Sequence, residues 1–185
     1  MAIADARTSS GSPNSNFGSS YLRIRTASLG TYHTYVRIRV AGVSGTVSSA
    51  ILRLYAYAGG DSGGGVHTVS SGWSEGSITF GNAPPITGSP LDTYGAVGDN
   101  QWVEYDVTSA VTGNGIYSFG IKSTSSDSVY FYSREISGAQ KPQLVITTTD
   151  GLGRAGGSPA DPNRPTAGVP PASMRASMPR SDREP

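Results

Sequence analysis

Apolar and polar residues alternate along two neighbouring stretches of the chain, residues 21–25 and 35–40, which read YLRIR and YVRIRV. Side chains of a β-strand point alternately to opposite faces, so each stretch predicts a strand with one apolar and one cationic face. A short turn at residues 27–30 separates the two and predicts a β-hairpin. The hairpin would gather four arginines into one patch, namely Arg23, Arg25, Arg37 and Arg39.

Seven further segments show short apolar stretches separated by Gly, Ser, Asn or Pro: residues 3–8, 47–57, 66–69, 102–107, 116–122, 129–133 and 143–149. In the segment 102–107, we expect Val103, Tyr105 and Val107 to face inward. Residues 73–85 predict a long irregular connection, and residues 106–111 predict a single helical turn. This spacing of strands predicts an all-β protein, namely a two-sheet antiparallel β-sandwich of the jelly-roll type.

The strand pattern ends near residue 150. Residues 151–185 contain repeated Gly, Pro and Arg and few apolar residues, so they cannot bury enough surface to offset their conformational entropy. We therefore predict a sandwich at residues 1–150 and an extended C-terminal tail at 151–185. The tail would serve as a linker, or as a strap that docks the sandwich onto neighbouring subunits.

Composition narrows the class of protein. Residues 1–150 carry nine basic and ten acidic side chains, a net charge of −1, and residues 151–185 carry five and three, a net charge of +2. Neither part is basic enough to predict general nucleic-acid binding. The chain has no apolar run long enough to span a membrane and no cysteine for a disulfide or a cysteine-based metal site. His33 and His67 lack the spacing of a zinc motif.

The first residues, from Met1 onward, lack the basic segment and long apolar core of a secretory signal. Two interpretations stay open: the chain has been trimmed, or the protein leaves its cell without that signal, for example by cell lysis. On either interpretation we expect the protein to act outside the cell or on a virion surface.

Five sequence segments occur in an order that resembles a known family. They read ADARTSSGSPNSNFGSSYLRIR, SSAILRLYAY, WSEGSITFGNAP, WVEYDVTSAVTG and YFYSREISGAQKPQLVIT. Together they resemble the DNRLRE, or disaggregatase-related, domain, which is also classed as carbohydrate-binding module family 96, over about residues 3–149. The resemblance implies a β-sandwich that is often attached to secreted polysaccharide-degrading enzymes. It also implies, for some members, binding of acidic polysaccharides such as alginate through a basic surface.

The resemblance implies that the basic residues of the early strands bind anionic glycans, with an aromatic residue near the SRE segment at Tyr130 or Tyr132. Guanidinium groups bind carboxylate and sulfate in bidentate fashion, and a tyrosine beside them could stack on a sugar ring. The predicted glycan-binding residues are Arg23, Arg25, Tyr35, Arg37, Arg39 and Tyr132. The alternative is an exposed sheet face whose arginines form ion pairs with acidic residues, which are Glu75, Glu104, Asp106 or Glu135.

The wider aromatic set that could contact sugars is Tyr32, Tyr35, Tyr55, Tyr57, Tyr130 and Tyr132, although tyrosine also favours half-buried strand positions for packing alone. We expect Trp73 and Trp102 to belong to the framework. No cofactor is predicted, and a structural calcium ion of the kind that jelly-roll modules often carry stays open. Its candidate donors, none of which lies in a recognisable loop motif, are Asp5, Asp61, Asp106, Asp127 and Glu135.

Catalysis is not predicted. A glycosidase needs two carboxylates at a defined separation, and Glu75 with Glu104 is one conceivable pair, but the local sequence does not single them out. Neither histidine lies in a nucleophile motif. We predict a non-catalytic carbohydrate-binding sandwich, displayed on a larger extracellular assembly such as a phage virion decoration or fibre. Its partners would be a polysaccharide, with acidic polysaccharides among the candidates, and neighbouring subunits. The alternative is a substrate-targeting module cut from a secreted polysaccharide-degrading enzyme.

Overall fold

The computed structural model describes residues 1–18 and 21–149. Their helical structure is a 3-10 turn at Thr108–Ala110, where the sequence predicts a single turn. Ten strands make up the remaining regular structure: β1 Ala2–Ser9, β2 Leu22–Ile24, β3 Tyr32–Val40, β4 Thr46–Ala58, β5 Gly64–Thr68, β6 Asp92–Tyr94, β7 Gln101–Asp106, β8 Gly115–Lys122, β9 Val129–Phe131 and β10 Gln143–Thr149. The predicted tail at 151–185 lies outside the described residues. Within them, no helix has the length and hydrophobicity to span a bilayer.

The strands form two five-stranded sheets. The first sheet has the order β1-β3-β8-β5-β6, and the second has the order β10-β4-β9-β2, with β7 also paired to β4. The pairings between these strands are antiparallel. The predicted two-sheet antiparallel β-sandwich is therefore confirmed. The short strand β6 was not predicted, because its three residues are too few to show alternation.

The main core lies between the two sheets. Alternate residues of β4, such as Leu52 and Leu54, are fully buried, and so are the large side chains Phe119 and Phe131. The three residues predicted to face inward from the segment 102–107 are also fully buried. Each buried side chain of this size contributes roughly 1.5–3 kcal/mol relative to exposure, so the strict alternation provides the main stabilisation of the sandwich.

The predicted arginine hairpin does not form. β2 lies in the second sheet, where it pairs with β9, whereas β3 lies in the first sheet between β1 and β8. One isolated bridge joins Arg25, just beyond β2, to Tyr32 at the start of β3, where the chain crosses from one sheet to the other. Both strands turn their apolar faces to the same core, so their arginines lie on opposite outer faces of the sandwich.

The connection at residues 69–91 covers the outer face of the first sheet. Its residues Trp73 and Ile78 are buried against Tyr35, which is only 2% exposed and donates a hydrogen bond from its hydroxyl to the Pro84 carbonyl at 3.0 Å. Gly120 of β8 permits the close approach, because a Cβ there would lie 2.7 Å from Ile86. The predicted irregular connection is confirmed, and it forms a second apolar cluster.

His33 provides a test of this cover. Its ring lies 5.6 Å from that of Phe80 in the connection, and burial, with a smaller effect from Lys122, lowers its pKa from 6.5 to about 4. The unfolded chain therefore takes up a proton at pH values where the folded protein does not. The free energy of unfolding is therefore unaffected by His33 above pH 6.5 and decreases as the pH falls from 6.5 towards 4.

We expect the His33→Gln variant to show a smaller loss of unfolding free energy between pH 6.5 and pH 5 than the wild type, because this proton uptake is removed. Urea denaturation at several pH values measures the effect. The His67→Gln variant provides a second case of the same kind, since burial also lowers the pKa of His67. An unchanged pH dependence in His33→Gln would show that His33 is accessible to protons in the folded protein.

Candidate functional site

Six aromatic side chains lie next to one another on the outer face of the second sheet, and we call them the aromatic stripe. The alternation that turns the apolar residues of β4, β7 and β9 inward turns these rings outward. Tyr21 is exposed and the other five rings are half-buried. In spatial order the members are Tyr21, Tyr130, Tyr57, Tyr132, Tyr55 and Trp102.

The rings of the aromatic stripe are in mutual contact. Centroids of successive rings are 4.9 to 5.9 Å apart. Tyr132 stacks between Tyr55 and Tyr57, with interplanar angles of 7° and 25°. Trp102 meets Tyr55 edge to face at 85°. Stacked and edge-to-face pairs stabilise each other by about 0.5–1.5 kcal/mol beyond their buried area, so the contacts hold the rings in position.

Three guanidinium groups border the aromatic stripe. Arg7 lies 4.0 Å from the ring centroid of Tyr21, and Arg53 lies 4.5 Å from that of Trp102 at the other end. The charge of Arg53 is balanced by Glu104, whose Oε1 is 2.7 Å from the Arg53 Nε. At the Tyr21 end lies Arg23, which forms no ion pair with a described residue.

Arg23 is held between two rings. Its guanidinium lies 4.0 Å from the centroid of Tyr32 and 4.8 Å from that of Tyr130. Nε and Nη2 donate hydrogen bonds to the Ser128 hydroxyl at 3.2 and 2.8 Å. Nη1 forms no hydrogen bond with a described residue, so Arg23 combines a fixed orientation with a donor that its described partners do not use.

The comparison with known families agrees with this surface. The family model described as carbohydrate-binding module family 96 matches residues 1–148. The chain belongs to this family. No curated protein matches the chain at a significant level. The family assignment confirms the resemblance in the sequence and indicates a polysaccharide as the partner, and carbohydrate-binding modules are in general non-catalytic.

The residues predicted to bind glycan in the module are distributed over both sheets. Arg23 and Tyr132 lie on the second sheet, at the aromatic stripe, and Arg25 lies just beyond β2, at the bridge to β3. Arg37 and Arg39 lie on the first sheet, away from the aromatic stripe. The sequence prediction of one arginine patch is therefore wrong, because the chain changes sheet between β2 and β3.

Two of the residues predicted to bind glycan, Tyr35 and Arg37, contact the connection 69–91 of the protein itself. Tyr35 is buried beneath the connection 69–91, so its ring face cannot stack on a sugar, which corrects the prediction for this residue. Arg37 donates hydrogen bonds from Nη1 to the carbonyls of Ser71 and Trp73, at 3.0 and 2.6 Å. Arg37 thereby fastens the connection to the first sheet.

Sequence reasoning missed part of the module's outer surface. Trp73 is buried, as expected, but Trp102 lies on the outer face of β7 and belongs to the aromatic stripe. Tyr21, Arg7 and Arg53 were not among the predicted site residues. The outward positions of Tyr21, Arg53 and Trp102 follow from alternation, but their proximity depends on strand pairing, such as Trp102 opposite Tyr55, which has no local signal.

The two carboxylates considered for catalysis are both engaged in ion pairs. Glu104 pairs with Arg53, and Glu75 pairs with Arg134, which also lies 3.0 Å from Glu135 through its Nε. Despite its own burial, Glu75 has a lowered pKa because Arg134 and the Asp5 main-chain N–H donate hydrogen bonds to its carboxylate. Burial raises the pKa of the neighbouring Asp5 carboxyl to about 8.

The two tryptophans provide a test of the aromatic stripe. We expect acrylamide to quench the fluorescence of Trp73→Phe, which keeps Trp102, clearly more strongly than that of Trp102→Phe, because Trp73 is only 6% exposed. Stern–Volmer constants measure the difference. Equal constants in the two variants would contradict the outward position of Trp102.

Proposed function

We propose that the protein is a non-catalytic module that binds an extended polysaccharide along the aromatic stripe, with a preference for anionic sugars. The observation that carries this proposal is the contiguous row of six rings on the open face of the second sheet, bordered by guanidinium groups. Membership of carbohydrate-binding module family 96 supports the class of ligand.

The geometry of the aromatic stripe suits a polymer. Aromatic rings offer large, rigid contact area with few rotatable bonds, so binding immobilises little side-chain freedom. Tyrosine adds a hydroxyl that can bond to sugar hydroxyls, and the ring itself can contact the apolar C–H groups of a sugar. Because the rings form a row rather than a closed pocket, several sugar units can contact the surface at once.

The preference for anionic sugars rests on the Tyr21 end of the aromatic stripe. Arg23 is oriented there by Ser128 and by the rings of Tyr32 and Tyr130. A fixed guanidinium binds a carboxylate or sulfate through charge-assisted hydrogen bonds, and less conformational freedom is lost when its orientation is already set. The ligand's negative group is therefore expected near Arg23.

The absence of catalysis is part of the proposal. Glu104 is in an ion pair with Arg53, whose guanidinium borders the aromatic stripe at Trp102. Glu75 is in an ion pair with Arg134. A general acid needs a raised pKa, and the pKa of Glu75 is lowered. These observations favour binding without bond cleavage.

We expect the Tyr57→Ala/Tyr132→Ala double variant to lose polysaccharide affinity by roughly ten- to a hundredfold, since each removed ring contributes on the order of 1 kcal/mol. Affinity electrophoresis and calorimetry with a panel of acidic and neutral polysaccharides measure the loss. Arg39→Ala is the control, because Arg39 is exposed on the other sheet. A loss confined to Arg39→Ala would contradict the aromatic stripe and place the site on the first sheet.

The Arg23→Gln variant tests the preference for charge. We expect it to bind uronate or sulfated polysaccharides several-fold more weakly and with less dependence on salt, because a screened charge–charge contact has been removed. Binding to neutral polysaccharides should not change. If Arg23→Gln weakens neutral and acidic ligands equally, the preference for anionic sugars is wrong while binding along the aromatic stripe stands.

Display on a larger extracellular assembly, such as a virion, is a second part of the proposal, and it rests on the Gly-, Pro- and Arg-rich composition of residues 151–185. Removing these residues should leave polysaccharide binding unchanged and abolish incorporation into the assembly, as measured by co-sedimentation with particles from the source culture. Unchanged incorporation would contradict docking through this segment, and failure of the full chain to incorporate would favour the alternative of a substrate-targeting module from a polysaccharide-degrading enzyme.

A further inference from the structure

Three segments distant in sequence bring acidic side chains together at one place in the sandwich. Asp5 comes from β1, Glu75 from the connection between β5 and β6, and Glu135 from the segment after β9. Each can contribute one carboxylate oxygen such that all three oxygens lie within 4.8 Å of one another. Like charges at this separation repel one another unless a cation lies among them.

Arg134 supplies part of the required positive charge. Its guanidinium contacts Glu75 through Nε and Nη2 and Glu135 through Nε, at 3.0 Å for the latter. Its main-chain N–H donates to Asp5 Oδ2 at 2.8 Å. When all three carboxyls are ionised, they and the guanidinium together carry a net charge of −2, which is the charge that one divalent cation would balance.

The second carboxylate oxygen of Asp5 gives an independent indication. Asp5 is 0% exposed, and its Oδ1 is buried without a hydrogen-bond partner among the described residues. A buried polar atom that has lost its water without gaining a partner is strongly unfavourable, and buried carboxylates are normally paired or coordinate metals. Oδ1 therefore needs a partner that the described protein atoms do not supply.

We propose that Asp5, Glu75 and Glu135 form a site for a divalent cation, and that this cation is calcium. The donors are carboxylate oxygens, which hard cations prefer over the soft or nitrogen ligands that zinc and copper select. Calcium accepts six to eight oxygens in irregular arrangements, whereas magnesium requires a near-ideal octahedron. Glu135 is exposed, so water can complete the coordination shell from the solvent side.

The bound cation would act as a structural staple. It would join the N-terminal strand β1 to the connection that covers the first sheet and to the segment after β9. A ligand that binds only the folded state stabilises it by mass action. This role is independent of the proposed glycan binding, because the three carboxylates are not members of the aromatic stripe.

The test uses the full chain, stripped with a chelator and titrated with CaCl2 and, separately, with MgCl2. Calorimetry measures stoichiometry and affinity, and thermal melting measures stability. The Glu135→Gln variant removes one donor at constant size. Glu104→Gln is the matched control, because Glu104 is also a glutamate paired with an arginine but lies on the outer face of the second sheet.

We expect one calcium ion per chain and a rise in Tm of roughly 5–10 °C at free calcium about a hundred times its Kd. Glu135→Gln should weaken calcium binding at least about tenfold, and Glu104→Gln should bind like the wild type. The absence of saturable calcium uptake by the wild-type chain would overturn the proposal even if Glu135→Gln does not fold. Equal weakening in both variants, or tighter binding of magnesium, would overturn it too.

Discussion

Burial of two apolar sheet faces against each other is the constraint on which the rest of this molecule depends. Once Leu52 and Leu54 of β4 and Val103 of β7 are turned into the core, the residues between them must face outward. The outward set on the second sheet includes Tyr55 and Trp102, which the register places opposite each other. The candidate binding surface is thus a direct consequence of the way the core is filled.

The outer faces of the two sheets differ in what covers them. On the first sheet the connection 69–91 forms a second apolar cluster over Tyr35, and Arg37 fastens it by bonds to two carbonyls. On the second sheet the aromatic stripe keeps its half-buried rings in solvent. This asymmetry favours the second sheet as the surface for the proposed ligand, because the corresponding positions of the first sheet are partly occupied by the protein itself.

The strands and their inward faces could be predicted from the sequence because alternation is a local property. The partner of each strand could not, since Leu22 and Ile24 would face the core equally well in a hairpin or in a crossing between sheets. Tyr35 was predicted to be exposed because no local pattern shows that the connection 69–91 covers its face of the first sheet. Asp5 and Glu135 were each considered as metal donors, but only the folded chain brings them together with Glu75.

The direction of the aromatic stripe has a mechanical consequence. The stripe passes from Tyr21, beside β2, through the rings of β9 and β4 to Trp102 on β7, so it crosses the strands instead of following one of them. A polymer held along it would rest on four strands at once. Tension in that polymer would act across the backbones, parallel to the inter-strand hydrogen bonds, and the load would be shared by neighbouring ladders of the second sheet.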